Sequence, residues 1–365
     1  MKRHIRIAIG LLTILYTSCT QTFTVSQVRL SSEFTQVLVD RGYIKDANNI
    51  QLSELEKITE LDISDANLTS LDGIEHFKSL IKLDCNGNNI EHLDVSNNQN
   101  LEYLDCSFNN FTTLDVTKNL NLKYLSCAKS HYNDGKLTNL DVSNNLNLEF
   151  LNCGGNEIKS LDISNNTNLT ELFCVDNQLT NLDVRNNTSL TYLSCLKNNL
   201  SSLDLSNNNN LTNLACYENQ LTSLDLSNNT NLTYIRCHKN QLTRLDISKN
   251  TSLTLLECNE NKLMSLDISK NTNLTGLFCN ENKLTSLDIS KNTSLIYLEC
   301  IQNQLTNLDI SKNINLTKLW CCNNPGNGSK FPIKAWFDNN SIPNTFNYDE
   351  YWTYNNNRIE VDFYK

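Results

Sequence analysis

Proline is nearly missing from this chain, with three residues among 365, and glycine is scarce at ten. That scarcity argues against a Pro/Gly-rich linker or a disordered segment as a major part of the molecule. Positive charge is in deficit too. Thirty Lys and Arg stand against 40 Asp and Glu, a net charge of −10 that argues against nucleic acid or an anionic membrane surface as partner. Only five histidines occur, His4, His76, His92, His131 and His238. His131 and His238 fall five turns of the repeat described below apart, roughly 24 Å at one strand spacing per turn, beyond the reach that proton transfer needs. No nucleophile elbow, zinc helix motif or phosphate loop is present. The sequence therefore reads as non-enzymatic, with no cofactor and no metal expected. Beyond the N-terminus no segment approaches the roughly 18 apolar residues of a membrane-spanning helix.

What the chain has in excess is cysteine at a fixed spacing. Cys85, Cys106 and Cys127 lie 21 residues apart, as do Cys153, Cys174, Cys195, Cys216, Cys237, Cys258, Cys279, Cys300 and Cys321. The single break, from Cys127 to Cys153, is 26 residues. Twelve of 14 cysteines thus form one column of a repeat, the signature of a solenoid. Leucine recurs five and two residues before each thiol (Leu211 and Leu214 before Cys216), asparagine three after (Asn219) and leucine five after (Leu221). A second half follows, Leu224-Asp225-Leu226-Ser227 and then Asn229. Residues two apart in an extended strand share a face, so in L-x-C and L-D-I the outer pair point to the core and the middle residue to solvent. Stacked turns then pair as parallel strands about 4.8 Å apart. The asparagines fall at the bends, where their amides can serve the backbone groups of successive turns.

These residues resemble the leucine-rich-repeat family, in its bacterial 21-residue, internalin-like class, one branch of which carries an internalin J-type cysteine ladder. The resemblance covers residues 58–322 and implies a leucine-rich-repeat solenoid of about 13 turns with a helical N-terminal cap and a β-rich C-terminal cap. It also implies that the cysteine replaces an aliphatic residue inside the core. The first turn, ITELDISDANLTSLDGIEHFKSL, agrees, because Ile63 stands where later turns hold cysteine. A free cysteine behaves as a small buried hydrophobe, and a reduced ladder is the expectation. Interturn disulfides are one alternative, opposed by side chains that point the same way at about 4.8 Å spacing. A soft-metal site is another, opposed by a ladder that spreads the thiols along a line. Cys322, one residue past the last rung, is expected to face outward and to react.

The ends differ from the repeats. Lys2, Arg3 and Arg6 precede an apolar run over 7–16 that ends in LYTSC, which looks like a lipoprotein signal with Cys19 as the lipidated residue. Ordinary signal-peptidase cleavage is the alternative. The expected organisation is a signal over 1–19, linker and helical cap over 20–57, repeats over 58–322 and a C-terminal cap over 323–365. The stretch over 31–57 resembles the helical cap of such proteins in Bacteroidota, with Phe34, Val37 and Leu38 at helical spacing. The five extra residues fall within 128–140, where Ser130 takes an asparagine position, and predict a surface loop. Near the end, Ile359, Val361 and Phe363 alternate as in a hairpin.

The two outward columns are unlike each other. In the second half the outward residue is aspartate eleven times, from Asp94 to Asp309. Structural hydrogen bonding is the expected role of this column, and bound cations are the alternative. Just before the thiol the outward residue instead varies, through Ser126, Phe173, Ala215, Arg236, Phe278 and Trp320 among others. A scaffold column repeats and a recognition column varies. Aromatic side chains concentrate on this cysteine side, with Tyr103, Tyr124, Phe150, Tyr192, Tyr234 and Tyr297 three residues before the thiol and Tyr217 one after. Together with Phe173, Arg236, Phe278 and Trp320 they form the candidate ligand-binding face, because such rings anchor interfaces. The competing reading is that tyrosine merely stacks well on an exposed sheet. The expected protein is a lipid-anchored binding module of the outer membrane, meeting the membrane only through that lipid and recognising a protein ligand. A glycan-binding surface protein and a structural envelope spacer are the alternatives.

Overall fold

A computed structural model describes residue 28 and residues 30–129 and 136–365. Cys19, Ser130 and His131 lie outside the described residues. Thirteen strands of three residues recur once per turn, from Glu60–Asp62 to Lys318–Trp320, and Asn347–Tyr348 adds the last strand of a 14-stranded sheet. Pairing is parallel and in register, so that Tyr192, Asn213 and Tyr234 are direct neighbours across three strands. In each strand the central Leu or Ile is buried while its flanking residues face outward. The alternation follows from the two-residue period of extended chain.

The strands are short because the chain bends immediately after the cysteine. Except at Lys129, beside the insertion, the residue two past the thiol takes a left-handed conformation even where it is not glycine, as at Lys197 (φ 53°), Glu218 (φ 53°) and Lys239 (φ 51°). Such a residue costs about 1–2 kcal/mol, and the ladder between turns offsets it, for example by the Lys197 N–H donating to the Tyr217 carbonyl at 2.9 Å. Gly155 (φ 72°) has a second constraint. A Cβ there would lie 2.1 Å from the Lys129 carbonyl oxygen, so the turn after the five-residue insertion can close only on glycine.

Two asparagine ladders run through the solenoid. In the first, the Asn198 amide donates to the Cys174 and Cys195 carbonyls at 2.9 and 3.1 Å and accepts from the Leu179 N–H at 3.0 Å. In the second, the Asn208 amide donates to the Val184 and Asn187 carbonyls, both at 2.9 Å, while its Oδ1 has no partner among the described residues. At the insertion a lysine does work that sequence reading did not assign. Lys129 is only 5% exposed, and its ammonium donates to the Asn109 and Phe111 carbonyls at 2.8 and 3.2 Å while lying 3.4 Å from the centre of the Phe111 ring. Burial pulls this amine down to about 8.

Leucine, isoleucine and the twelve ladder cysteines fill one continuous interior, each cysteine as a free thiol. Burial pushes Cys153, Cys195 and Cys237 up to about 12, so thiolate is negligible at neutral pH. The first turn is covered by the helix Ser32–Asp40, capped by the Ser31 hydroxyl and packing Phe34 5.8 Å from Phe77. The last turn is sealed by strands Lys330–Lys334, Tyr351–Tyr354 and Asn357–Tyr364, with the Trp352 indole N–H donating to the Asn324 carbonyl. Cys322 is less open than the sequence suggested. It is half-buried, its N–H and that of Cys321 both donate to the Asp349 carboxylate, and burial together with that carboxylate raises its thiol to about 11.

Truncating Ile235, fully buried between turns, to alanine should therefore cost about 2–5 kcal/mol of unfolding free energy in a denaturant titration. Alkylation of the native protein followed by mass spectrometry should leave Cys216 and Cys237 unmodified until denaturant is added. Rapid native labelling of either would contradict their place in the core.

Candidate ligand-binding face

The outward side chains of the parallel sheet lie in columns, and the in-register pairing decides which of them meet. Tyr103, Tyr124 and Phe150 are consecutive rungs and stack face to face, with ring centres 4.1 and 4.3 Å apart. Phe173 continues the run from the neighbouring column, 5.5 Å from Phe150 and 4.9 Å from Tyr192. Tyr217 stacks on His238 at 4.0 Å. These rings are outward-pointing yet half-covered, because each shields a face of the next. Stacking, the competing reading of these rings, thus accounts for much of the run from Tyr103 to Tyr192.

Farther along, the face opens. Tyr234 and Tyr297 are 44% and 40% exposed. The Lys318 ammonium sits 5.1 Å over the Tyr297 ring. Phe278 and Trp320 are half-buried. Arg236 is held by Glu257 through an Nε–carboxylate contact of 3.1 Å, and His238 approaches the same carboxylate at 3.5 Å. Burial of the imidazole lowers the His238 pKa. A notch of about 220 Å³ lies between Tyr192 and Tyr234, floored by Asn213 and Ala215 and bounded by Arg236. The candidate residues therefore form two groups, a stacked run and a more open patch.

The aspartate column behaves differently. Each carboxylate accepts the backbone N–H two residues on, at 3.0 Å for Asp225 with Ser227 and 2.9 Å for Asp246 with Ser248. These are Asx-type turns. The hydroxyl and N–H of the following serine hold Asp94, Asp162 and Asp204 below the usual carboxylate range, and for Asp225, Asp246 and Asp267 the serine N–H is the larger cause. Repulsion along the column opposes the shift at Asp225, where Asp246 and Asp204 act to raise it, but the hydrogen bonds win. A shallow trough of about 760 Å³ follows this side past Asp225, Arg244 and Asp246. Its lining recurs turn after turn and distinguishes no position. No group of acidic, histidine and cysteine side chains arranged to hold a metal occurs among the described residues.

Short parallel strands once per turn, a leucine-filled interior and asparagine ladders at the bends define a leucine-rich-repeat solenoid. The functional domain of InlJ from Listeria monocytogenes, which includes a cysteine ladder, is 37% identical with a TM-score of 0.71, over 78% of this chain and 69% of that one. This chain belongs to the internalin-type leucine-rich-repeat family. An internalin (InlF) of the same bacterium is 24% identical with a TM-score of 0.65, over 80% of this chain and 94% of that one. The plant peptide hormone receptor RGFR1, solved in complex with RGF2, shares the fold at 22% identity and a TM-score of 0.63, over 83% of this chain and 50% of that one. No protein-family model matches the sequence, and no curated protein is similar to it.

The aspartate turns set an acid limit. A carboxyl whose pKa is lower folded than unfolded stabilises the fold above its unfolded value and loses that contribution as pH falls through the folded one. The window runs from the ordinary 3.8 down to about 2, the value to which the Arg185 side chain and N–H bring Asp183. Melting temperature should drop across that window. In an Asp225→Asn/Asp246→Asn double variant the drop should be shallower, and an unchanged acid profile would remove the column from this role.

Proposed function

We propose that this protein is a non-enzymatic binding module that recognises a protein ligand through its cysteine-side sheet. One observation carries the reading. Two outward columns of the same repeat differ, one held at aspartate by its own turn geometry and the other free to vary and rich in rings. Half-exposed tyrosines beside an arginine are the composition of interface anchors. RGFR1, whose solved complex contains RGF2, is a solenoid of this architecture holding a ligand.

Binding tests the assignment directly. The protein, with its N-terminal signal removed and immobilised, should retain a specific partner from envelope extracts, and Tyr234→Ala with Arg236→Ala should weaken that capture about 30-fold or more, a hot-spot loss of ~2 kcal/mol. Melting should move little, because both side chains lie at the surface. Asp225→Ala with Asp246→Ala should leave capture unchanged. The reverse pattern would move the site to the other face. A protein that captures nothing specific is a spacer, and a signal on a glycan array without a protein partner would assign a carbohydrate ligand.

The same reading places the module in a bacterial envelope, tethered to the outer membrane by lipid on Cys19. The basic start and short apolar run before LYTSC support the tether. Fatty-acid metabolic labelling should mark the wild-type protein and not Cys19→Ala, which should leave the membrane fraction. A Cys19→Ala protein that still sediments with membranes would refute the anchor.

A further inference from the structure

The ring ladder is interrupted three times between Tyr103 and Tyr297, and the interruptions are not alike. The first falls at Glu171, where Phe173 of the same strand leans across and touches the rings on both sides. The third falls at Leu255 and Gly276. A Cβ on Gly276 would meet Leu255 Cδ1 at 2.7 Å and Phe278 Cε2 at 3.2 Å, so those two side chains already lie over the glycine and close the gap. At the second, Asn213 stands in the ladder and the residue two further on is Ala215, a buried side chain too short to supply a ring. The notch of about 220 Å³ between Tyr192 and Tyr234 is what results. Twice the protein fills a missing rung with a phenylalanine of the same turn. Once it does not.

We infer that this vacancy is a socket for one aromatic side chain of the protein ligand, sandwiched between Tyr192 and Tyr234. The inference rests on the binding role proposed above and names the chemistry that the face selects. Width is the first argument. Consecutive rings on this sheet stack with centres 4.1 and 4.3 Å apart, and Tyr192 and Tyr234 are two such intervals apart with Asn213 between them. A flat ring entering over Asn213 would stack on both phenols at that same interval and supply the rung that Asn213 interrupts. Charge is the second argument. Arg236 at the rim is already paired with Glu257, and the Asn213 amide oxygen already accepts the Thr212 hydroxyl at 2.8 Å, so no unpaired charge invites an ion. Exposure is the third. Tyr192 already rests one face on Phe173, and Tyr234, with no ring partner among the described residues, is 44% exposed. An inserted ring would cover the free face of each.

The test uses small probes, so that it does not depend on knowing the ligand. N-acetyl-phenylalanine amide and N-acetyl-tryptophan amide, titrated into the purified protein and followed by ligand-detected NMR, should show upfield ring-current shifts. They should bind at least about tenfold more tightly than N-acetyl-leucine amide or methyl glucoside. Ala215→Phe places in the vacancy the ring that Phe173 and Phe278 supply at the other two gaps. It should abolish probe binding while leaving circular dichroism and melting unchanged. Should that variant fold poorly, Tyr234→Ala, which removes one wall, must weaken the aromatic probes about tenfold or more. Three results would each overturn the socket. One is the absence of aromatic binding to the wild type, and another is equal binding of the leucine or glucoside probe. The third is a dimer in sedimentation that Ala215→Phe dissociates, which would make a second copy the occupant. The two proposals fail separately. If the probes do not bind but Tyr234→Ala still loses the captured protein, the socket is wrong and the face stands. If the probes bind and protein capture ignores Ala215→Phe and Tyr234→Ala, the socket stands and the functional reading falls.

Discussion

The backbone ladder between successive turns is the constraint on which the rest depends. The N–H of Cys216 reaches the Arg236 carbonyl at 2.9 Å and that of Lys197 the Tyr217 carbonyl at 2.9 Å, and the same bonds recur at equivalent positions along the sheet. A polar backbone group buried without a partner is expensive, so every turn must place the same groups at the same height as its neighbour. That requirement fixes the length of a turn and repeats the side chain at each inward slot. Apolar groups fill the cross-section, and the thiols stand in the slot that Ile63 fills in the first turn. The cysteine column is thus a packing solution, and its chemistry is suppressed by the same burial that selects it.

Where the ladder is broken the molecule has to compensate. The insertion before residue 136 removes an asparagine position, and the buried ammonium of Lys129 serves the Asn109 and Phe111 carbonyls nearby. Closing the following turn then brings the Lys129 carbonyl against Gly155, with no room for a Cβ. A local departure in sequence thus becomes two linked requirements, a buried cation and a glycine, on adjacent turns.

Register also builds the ring-bearing surface. Parallel in-register pairing puts side chains of equivalent position side by side, so rings stack wherever neighbours are aromatic and leave openings wherever they are not. The aspartate side has no such freedom, because its carboxylates are bound to their own turns. Family membership fits this division. A solenoid of internalin type supplies the frame, and the placing of the rings along the sheet distinguishes one stretch of its surface from another.

The sequence by itself determined the period, the inward slots, the class of fold and the two outward columns, because a strict repeat makes each of these legible as spacing. It also placed Tyr192, Tyr234 and Arg236 on one side, since the two-residue alternation of a strand fixes direction. Contact was decided only by the tertiary structure. Whether Phe173 or Ala215 fills the gap beside it depends on how far a side chain reaches across to the next strand. Nothing in the period marked Lys129 for burial, and Cys322 read as an outward thiol until the C-terminal cap brought Asp349 over it. Direction is a property of the chain's own period. Coverage is a property of what other turns bring to the same place, and a period carries no record of that.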